Sequence, residues 1–244
     1  MKPIPQQTVR ETADRVRRGE LSPVDTVRDS LDRIGKLDGE VRAFTEVWAE
    51  SALSDAEALA GRDDLADLAL AGVPFALKDN TSRDNPVVQR LVEAGAIPVG
   101  TTAQPQFCTW GITDTPTRVV QNPVRPGRTP GGSSGGAAAA VAAGMVPFAQ
   151  GNDGMGSLRI PAAACKLSTI KATPGIVPGD VGGNNWSGMA VQGVMAQDNQ
   201  DLSIIMRELT RGHVDAVDAP LPAGFGVTLD LSSPVAGMGA KGEW

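Results

Sequence analysis

The sequence predicts an α/β fold, and three observations point to it. The apolar run Gly72-Val73-Pro74-Phe75-Ala76-Leu77 ends in Lys78-Asp79-Asn80 and reads as a buried strand whose carboxyl end points Lys78 into a cleft. An amphipathic helix with a glycine stop follows from Asn85 to Gly95, and Ile97-Pro98-Val99-Gly100 is the next strand, so strand, helix and strand alternate as they do in a sheet covered by helices. A chain of 244 residues, 41% of them hydrophobic, is long enough to bury a sizeable core. One domain over 1–244 is expected, with a helical part at 1–70, a chemistry-bearing core at 71–210 and a last strand and tail at 211–244.

From Thr8 to about Gly19, apolar and charged residues recur at helical spacing. Ser22-Pro23 then opens a second helix, with serine as N-cap and proline at the first helical position, that runs to about Lys36. Ala43 to Trp48 has the β-branched and aromatic content of a strand, and Ser51 to Leu59 returns to helical composition. Beyond the strand at 97–100, Asp114 to Pro130 is rich in proline and arginine without period and reads as a loop. Gly135 to Ala143 is a small-residue helix suited to close packing, and Val146 to Gln150 is a buried strand. Leu167 to Ala172 reads as a further strand, Val181 to Gly193 as a glycine-rich loop, Asn199 to Thr210 as a helix, and Phe225 to Asp230 as the last strand.

The formal net charge of −6 and a pI near 4.9 argue against nucleic acid or an anionic membrane surface as partner, since both are bound by clustered Lys and Arg. No apolar run approaches the roughly 20 residues that span a bilayer, and residues 1–7 lack a secretory pattern, so the expected location is the cytoplasm. Cys108 and Cys165 lack the paired spacing of a zinc or redox site and read as free thiols; no metal or cofactor is expected.

Chemistry concentrates between Thr129 and Cys165. Two glycine-bracketed serine sites, Gly131-Gly132-Ser133-Ser134-Gly135-Gly136 and Gly154-Met155-Gly156-Ser157, mark tight turns or close backbone approach to a ligand. A phosphate cradle would need Lys-Ser or Lys-Thr after its last glycine, which is absent. Gly237-Met238-Gly239-Ala240-Lys241-Gly242 matches a dinucleotide pattern by letter but has no helix after it. Gly132 to Gly136 also fits a nucleophile elbow centred on Ser134, which would need His213, the one histidine in the chain. A serine can instead use a lysine as base, provided burial lowers its pKa from about 10.4 by roughly 3 units. Lys78, at the end of an apolar strand, has the right placement for that shift.

The stretch resembles the amidase signature family of serine hydrolases, whose pattern GGSSGG…GTDTGGSIRIPA it follows through both glycine sites and on into Ser157-Leu158-Arg159-Ile160-Pro161-Ala162. Gly72 to Asp79 likewise matches the family's G-[IV]-P-x-x-x-K-D motif. The resemblance implies a mixed central sheet flanked by helices on both faces, and a Ser-cisSer-Lys triad. Carried over by motif, Lys78 is the base, Ser133 the bridging serine and Ser157 the nucleophile. The amides of Gly154, Met155, Gly156 and Ser157 would form the oxyanion hole, Asp153 and Arg159 would brace the loop, and Ser134 would be a hydrogen-bonding neighbour. The activity implied is hydrolysis of a small-molecule carboxamide through an acyl-serine. An ammonia-donor component of a transamidation complex and a non-catalytic scaffold are the alternatives, and a homo-oligomer is left open. Met155 departs from the family's glycine, the connection between Asn80 and Asn85 is shorter than the family's, and family members continue for a long C-terminal half, so a shortened member fits, as does a sequence from which family segments are missing.

Overall fold

The computed structural model describes residues 8–181 and 185–211. The expected strand at 225–230, the glycine pattern at 237–242 and His213 lie outside the described residues.

Several of the predicted helices form where an apolar stripe meets a side-chain cap. Helix α1 (Val9–Arg17) starts on a capping box between Thr8 and Glu11. Its first two amides, on Val9 and Arg10, donate to the buried carboxylate of Asp201, a residue far away in sequence. Helix α2 (Pro23–Val41) starts on the Ser22 cap and continues past the predicted stop at Lys36. Gly35 and Gly39 lie on its solvent face while Ile34, Leu37 and Val41 are buried, so packing outweighs the roughly 1 kcal/mol each glycine costs a helix. Strand β1 (Phe44–Val47), α3 (Ala49–Ala60), β2 (Pro74–Lys78), α4 (Pro86–Glu93) and β3 (Ile97–Thr102) follow at the predicted places. After them come α5 (Gly135–Ala142), β4 (Phe148–Asp153), α6 (Arg159–Cys165) and β5 (Ser168–Thr169). The single turn α7 (Asn185–Gly188), β6 (Val191–Ala196) and α8 (Asn199–Leu209) complete the described chain.

The six strands form one mixed sheet in the order β1-β3-β2-β4-β6-β5. Strands β3, β2 and β4 are parallel, and β1, β6 and β5 join antiparallel. Two expectations need correction here. The segment read as a loop from Val181 to Gly193 contains the start of β6, whose six residues are all buried, and the strand read at Leu167 to Ala172 pairs only through Ser168 and Thr169.

The sheet is buried on both faces. One core holds Ala76, Ala149 and Met195 of the sheet against α2, α3 and α5; the other holds Phe75, Leu77, Phe148 and Val194 against α1, α4 and α8. Phe75 and Phe148, paired across β2 and β4, stack with centroids 5.0 Å apart, an arrangement worth about 1 kcal/mol beyond area burial. Helix α5 is buried from Gly135 to Val141, which its small side chains permit. A Cβ on Gly136 would lie 2.5 and 2.6 Å from the backbone of Ala103 and 2.8 Å from that of Ala43. Gly136→Ala should therefore destabilise the fold by about 3 kcal/mol, read as a lower urea midpoint at unchanged slope. An unchanged midpoint would show that α5 does not sit this close.

Candidate active site

Because β3, β2 and β4 are parallel, their carboxyl ends share one side of the sheet, and the candidate residues gather there. Strand β2 ends on Lys78 and β4 on Asp153. The loop before α5 brings Ser133 and Ser134, and the loop between β4 and α6 brings Ser157. The Gly132–Ser133 peptide is cis. A cleft of about 400 Å³ opens at this edge; Ser133 and Ser157 both line it, with Asn80, Gln104, Cys108 and Asn152 on its polar wall and Phe107 and Trp186 among its apolar lining.

Lys78 is fully buried. Its Nζ donates 2.7 Å to Ser133 Oγ and 2.7 Å to Asn152 Oδ1. Burial pushes its pKa down to about 8, while the neighbouring Cys108 and Asp153 side chains act to raise it. Ser133 is buried and Ser157 half-buried. Ser134, also buried, lies behind the cleft wall: its amide donates to the carbonyl of Ser157 at 3.1 Å and its hydroxyl to that of Asn152 at 3.4 Å.

Asp153 organises the loop that carries Ser157. Its carboxylate accepts from the amides of Gly156 (2.7 Å), Leu158 (3.3 Å) and Arg159 (3.3 Å) and from the Arg159 guanidinium at 2.8 and 3.0 Å. Burial works against the ionised form, yet the guanidinium and the amides outweigh it and hold the carboxyl below its usual range. The expected oxyanion set needs one correction, because the Gly156 amide points at Asp153 and is not free. The amides of Gly154, Met155 and Ser157 make no hydrogen bond among the described residues. Gly156 has φ 118°, a conformation only glycine adopts without strain, whereas Met155 keeps a negative φ with its side chain 74% exposed.

Sequence reasoning missed two polar residues. Asn152 contacts Lys78 and turns its Nδ2 to Asn80 Oδ1 at 3.0 Å. Gln150, buried beneath, accepts the Lys78 amide at 3.0 Å and donates 2.7 Å to Gln192. The signal for Asn152 was present, since it stands where the family pattern has threonine.

Comparison with known proteins places the chain in a family. The Amidase family matches residues 81–229, which include Ser133 and Ser157. A Mycobacterium tuberculosis protein named as an amidase, AmiB2, is 34% identical over 84% of this chain and 50% of its own length. A glutamyl-tRNA(Gln) amidotransferase subunit from Moorella thermoacetica is 38% identical over 88% of this chain and 49% of its own. Among solved structures, a 6-aminohexanoate cyclic dimer hydrolase superposes with a TM-score of 0.76 at 28% identity, over 89% of this chain and 49% of that one. The chain spans about half the length of the curated relatives it matches. By sequence and by fold, it belongs to the amidase signature family.

Proposed function

We propose that the protein hydrolyses a neutral carboxamide through an acyl-serine formed on Ser157. The observation that carries this reading is the 2.7 Å contact between Lys78 Nζ and Ser133 Oγ on the wall that also bears Ser157. Ser157 Oγ bonds to the amide carbon while its proton passes through Ser133 to the neutral amine of Lys78. The C–N bond then breaks, and the leaving amine takes that proton back by the same route. Water repeats the sequence on the acyl-enzyme and frees the acid. The amides of Gly154, Met155 and Ser157, free among the described residues, hold the oxyanion, each worth about 10² to 10³ in turnover. Free cysteines at 108 and 165 fit a cytoplasmic setting.

The resemblance to an amidotransferase component makes ammonia donation from glutamine the second reading. The cleft weighs against it: among the described residues its lining has neutral amides, a thiol and aromatic rings but no charged side chain. The ammonium and carboxylate of free glutamine would then enter without partners, a cost of several kcal/mol. Neutral aromatic or alkyl amides should be turned over with kcat/KM at least about 100-fold above that for L-glutamine. Preferred hydrolysis of glutamine would favour the donor reading. A folded protein that takes no fluorophosphonate label would favour a scaffold.

A further inference from the structure

From Lys78 a chain of four hydrogen bonds runs along the cleft wall, and every donor in it faces away from the lysine. Lys78 Nζ donates to Asn152 Oδ1 (2.7 Å), Asn152 Nδ2 to Asn80 Oδ1 (3.0 Å), Asn80 Nδ2 to Cys108 Sγ (3.6 Å), and Cys108 Sγ to Gln104 Oε1 (2.9 Å). An asparagine amide has one acceptor and one donor end. With Nδ2 committed to Asn80, Asn152 can offer Lys78 only its oxygen, so the lysine must donate on that side. Its Nζ donates to Asn152 and Ser133, and the Cys108 side chain lies close enough to act on it as a further acceptor. An ammonium has three N–H groups to donate, whereas a neutral amine has two N–H groups and one lone pair. With one N–H fixed on Asn152, the lone pair is free to face Ser133 Oγ.

We propose that Asn152 is a positioning residue for the base, oriented by Asn80, and that it aims the Lys78 lone pair at Ser133. This rests on Lys78 acting as base in the reading above. The titratable groups facing Lys78 are Cys108 and Asp153. Asp153 is already paired with Arg159, and the Cys108 contribution is removed by working in a Cys108→Ser background.

The test is the rate of Ser157 labelling by a fluorophosphonate as a function of pH, for Cys108→Ser alone and with Asn152→Asp or Asn152→Leu added. Asn152→Asp keeps the acceptor but sets a carboxylate against the lysine. The rising limb should move up by about 1 to 3 pH units with the high-pH rate nearly kept. Asn152→Leu removes the acceptor, so the high-pH rate should fall about tenfold or more and the limb should not rise. A residue that only packs would not split the variants this way. An Asp limb that coincides with the parent's, or a Leu variant with the parent's high-pH rate, would overturn the proposal. Should neither variant fold, Asn80→Leu at the exposed end of the pair carries the test: a drop of about tenfold in high-pH rate supports the proposal and an unchanged rate overturns it. Lys78→Ala, run alongside, keeps the two levels separate. If it labels as the parent does, the base assignment fails and the positioning role with it; if it does not label, only the Asn152 results decide.

Discussion

Ser157→Ala is expected to abolish amide hydrolysis and fluorophosphonate labelling, a loss of roughly 10⁴-fold or more, with the circular dichroism spectrum unchanged. The size follows from the residue's place. Ser157 shares the cleft wall with Ser133 and is followed by α6, and its loop is held by five hydrogen bonds to Asp153, none of which involves the Ser157 hydroxyl. Removing that hydroxyl deletes the nucleophile and little packing, since the side chain is only half-buried. Ser134 is the competing nucleophile, but its hydroxyl is buried and directed at the Asn152 carbonyl. Label that persists in the Ser157→Ala variant at Ser134 would reverse the assignment.

Lys78→Ala and Lys78→Arg should be about equally inactive, each losing on the order of 10³-fold or more in acylation rate. Arginine keeps the charge and the length but stays protonated throughout the accessible range, so it cannot accept the proton relayed by Ser133. In the wild type the base is the unprotonated form, and with a pKa near 8 the rate should rise with pH through that value and level off above it. Stability gives an independent reading of the same group. The folded pKa lies below the ordinary 10.5, so between about 8 and 10.5 the unfolded chain binds more protons, and wild-type stability should rise with pH across that window. Relative to Lys78→Ala, the gain should approach about 3 kcal/mol in urea unfolding between pH 7 and 10.5. A flat difference would mean that Lys78 is not buried as an amine, and an active arginine variant would remove it from the mechanism.

The parts of the fold that were legible in the sequence are those where local signals and packing agree. The Ser22-Pro23 start of α2 and the Pro86 start of α4, with its apolar stripe, carry their own caps, and β2 and β3 are short apolar runs between turns. What escaped was decided at longer range. Strand β6, Val-Gln-Gly-Val-Met-Ala, looks like a loop because Gly188 and Gly193 flank and interrupt it. It is a strand because β4 and β5 pair with it from both sides, and Gly193 fits beneath Leu158, whose Cδ1 would lie 2.7 Å from a Cβ there. Strand β4 runs on to Asp153 through Gly151 and Asn152, residue types depleted in strands, because pairing with Gly193 and Gln192 holds them. That extension puts Asn152 beside Lys78 and starts the Ser157 loop at Asp153. The candidate site residues were named through motif resemblance and lie together at one end of the sheet, while the Gly156 amide and the Asn152–Asn80 pair were not legible, since neither a loop's hydrogen-bond choice nor an amide's orientation is written in residue spacing.

The measurement that bears most directly on the mechanism is localisation of the covalent adduct. No lysine or arginine lies between Arg128 and Arg159, so trypsin releases residues 129–159 as one peptide carrying Ser133, Ser134 and Ser157 together. Mass spectrometry of the fluorophosphonate-treated protein should show one adduct on this peptide, and fragment ions should place it on Ser157 alone. An adduct on Ser134, or on Cys108 in a different peptide, would contradict the acyl-serine mechanism set out for Lys78, Ser133 and Ser157.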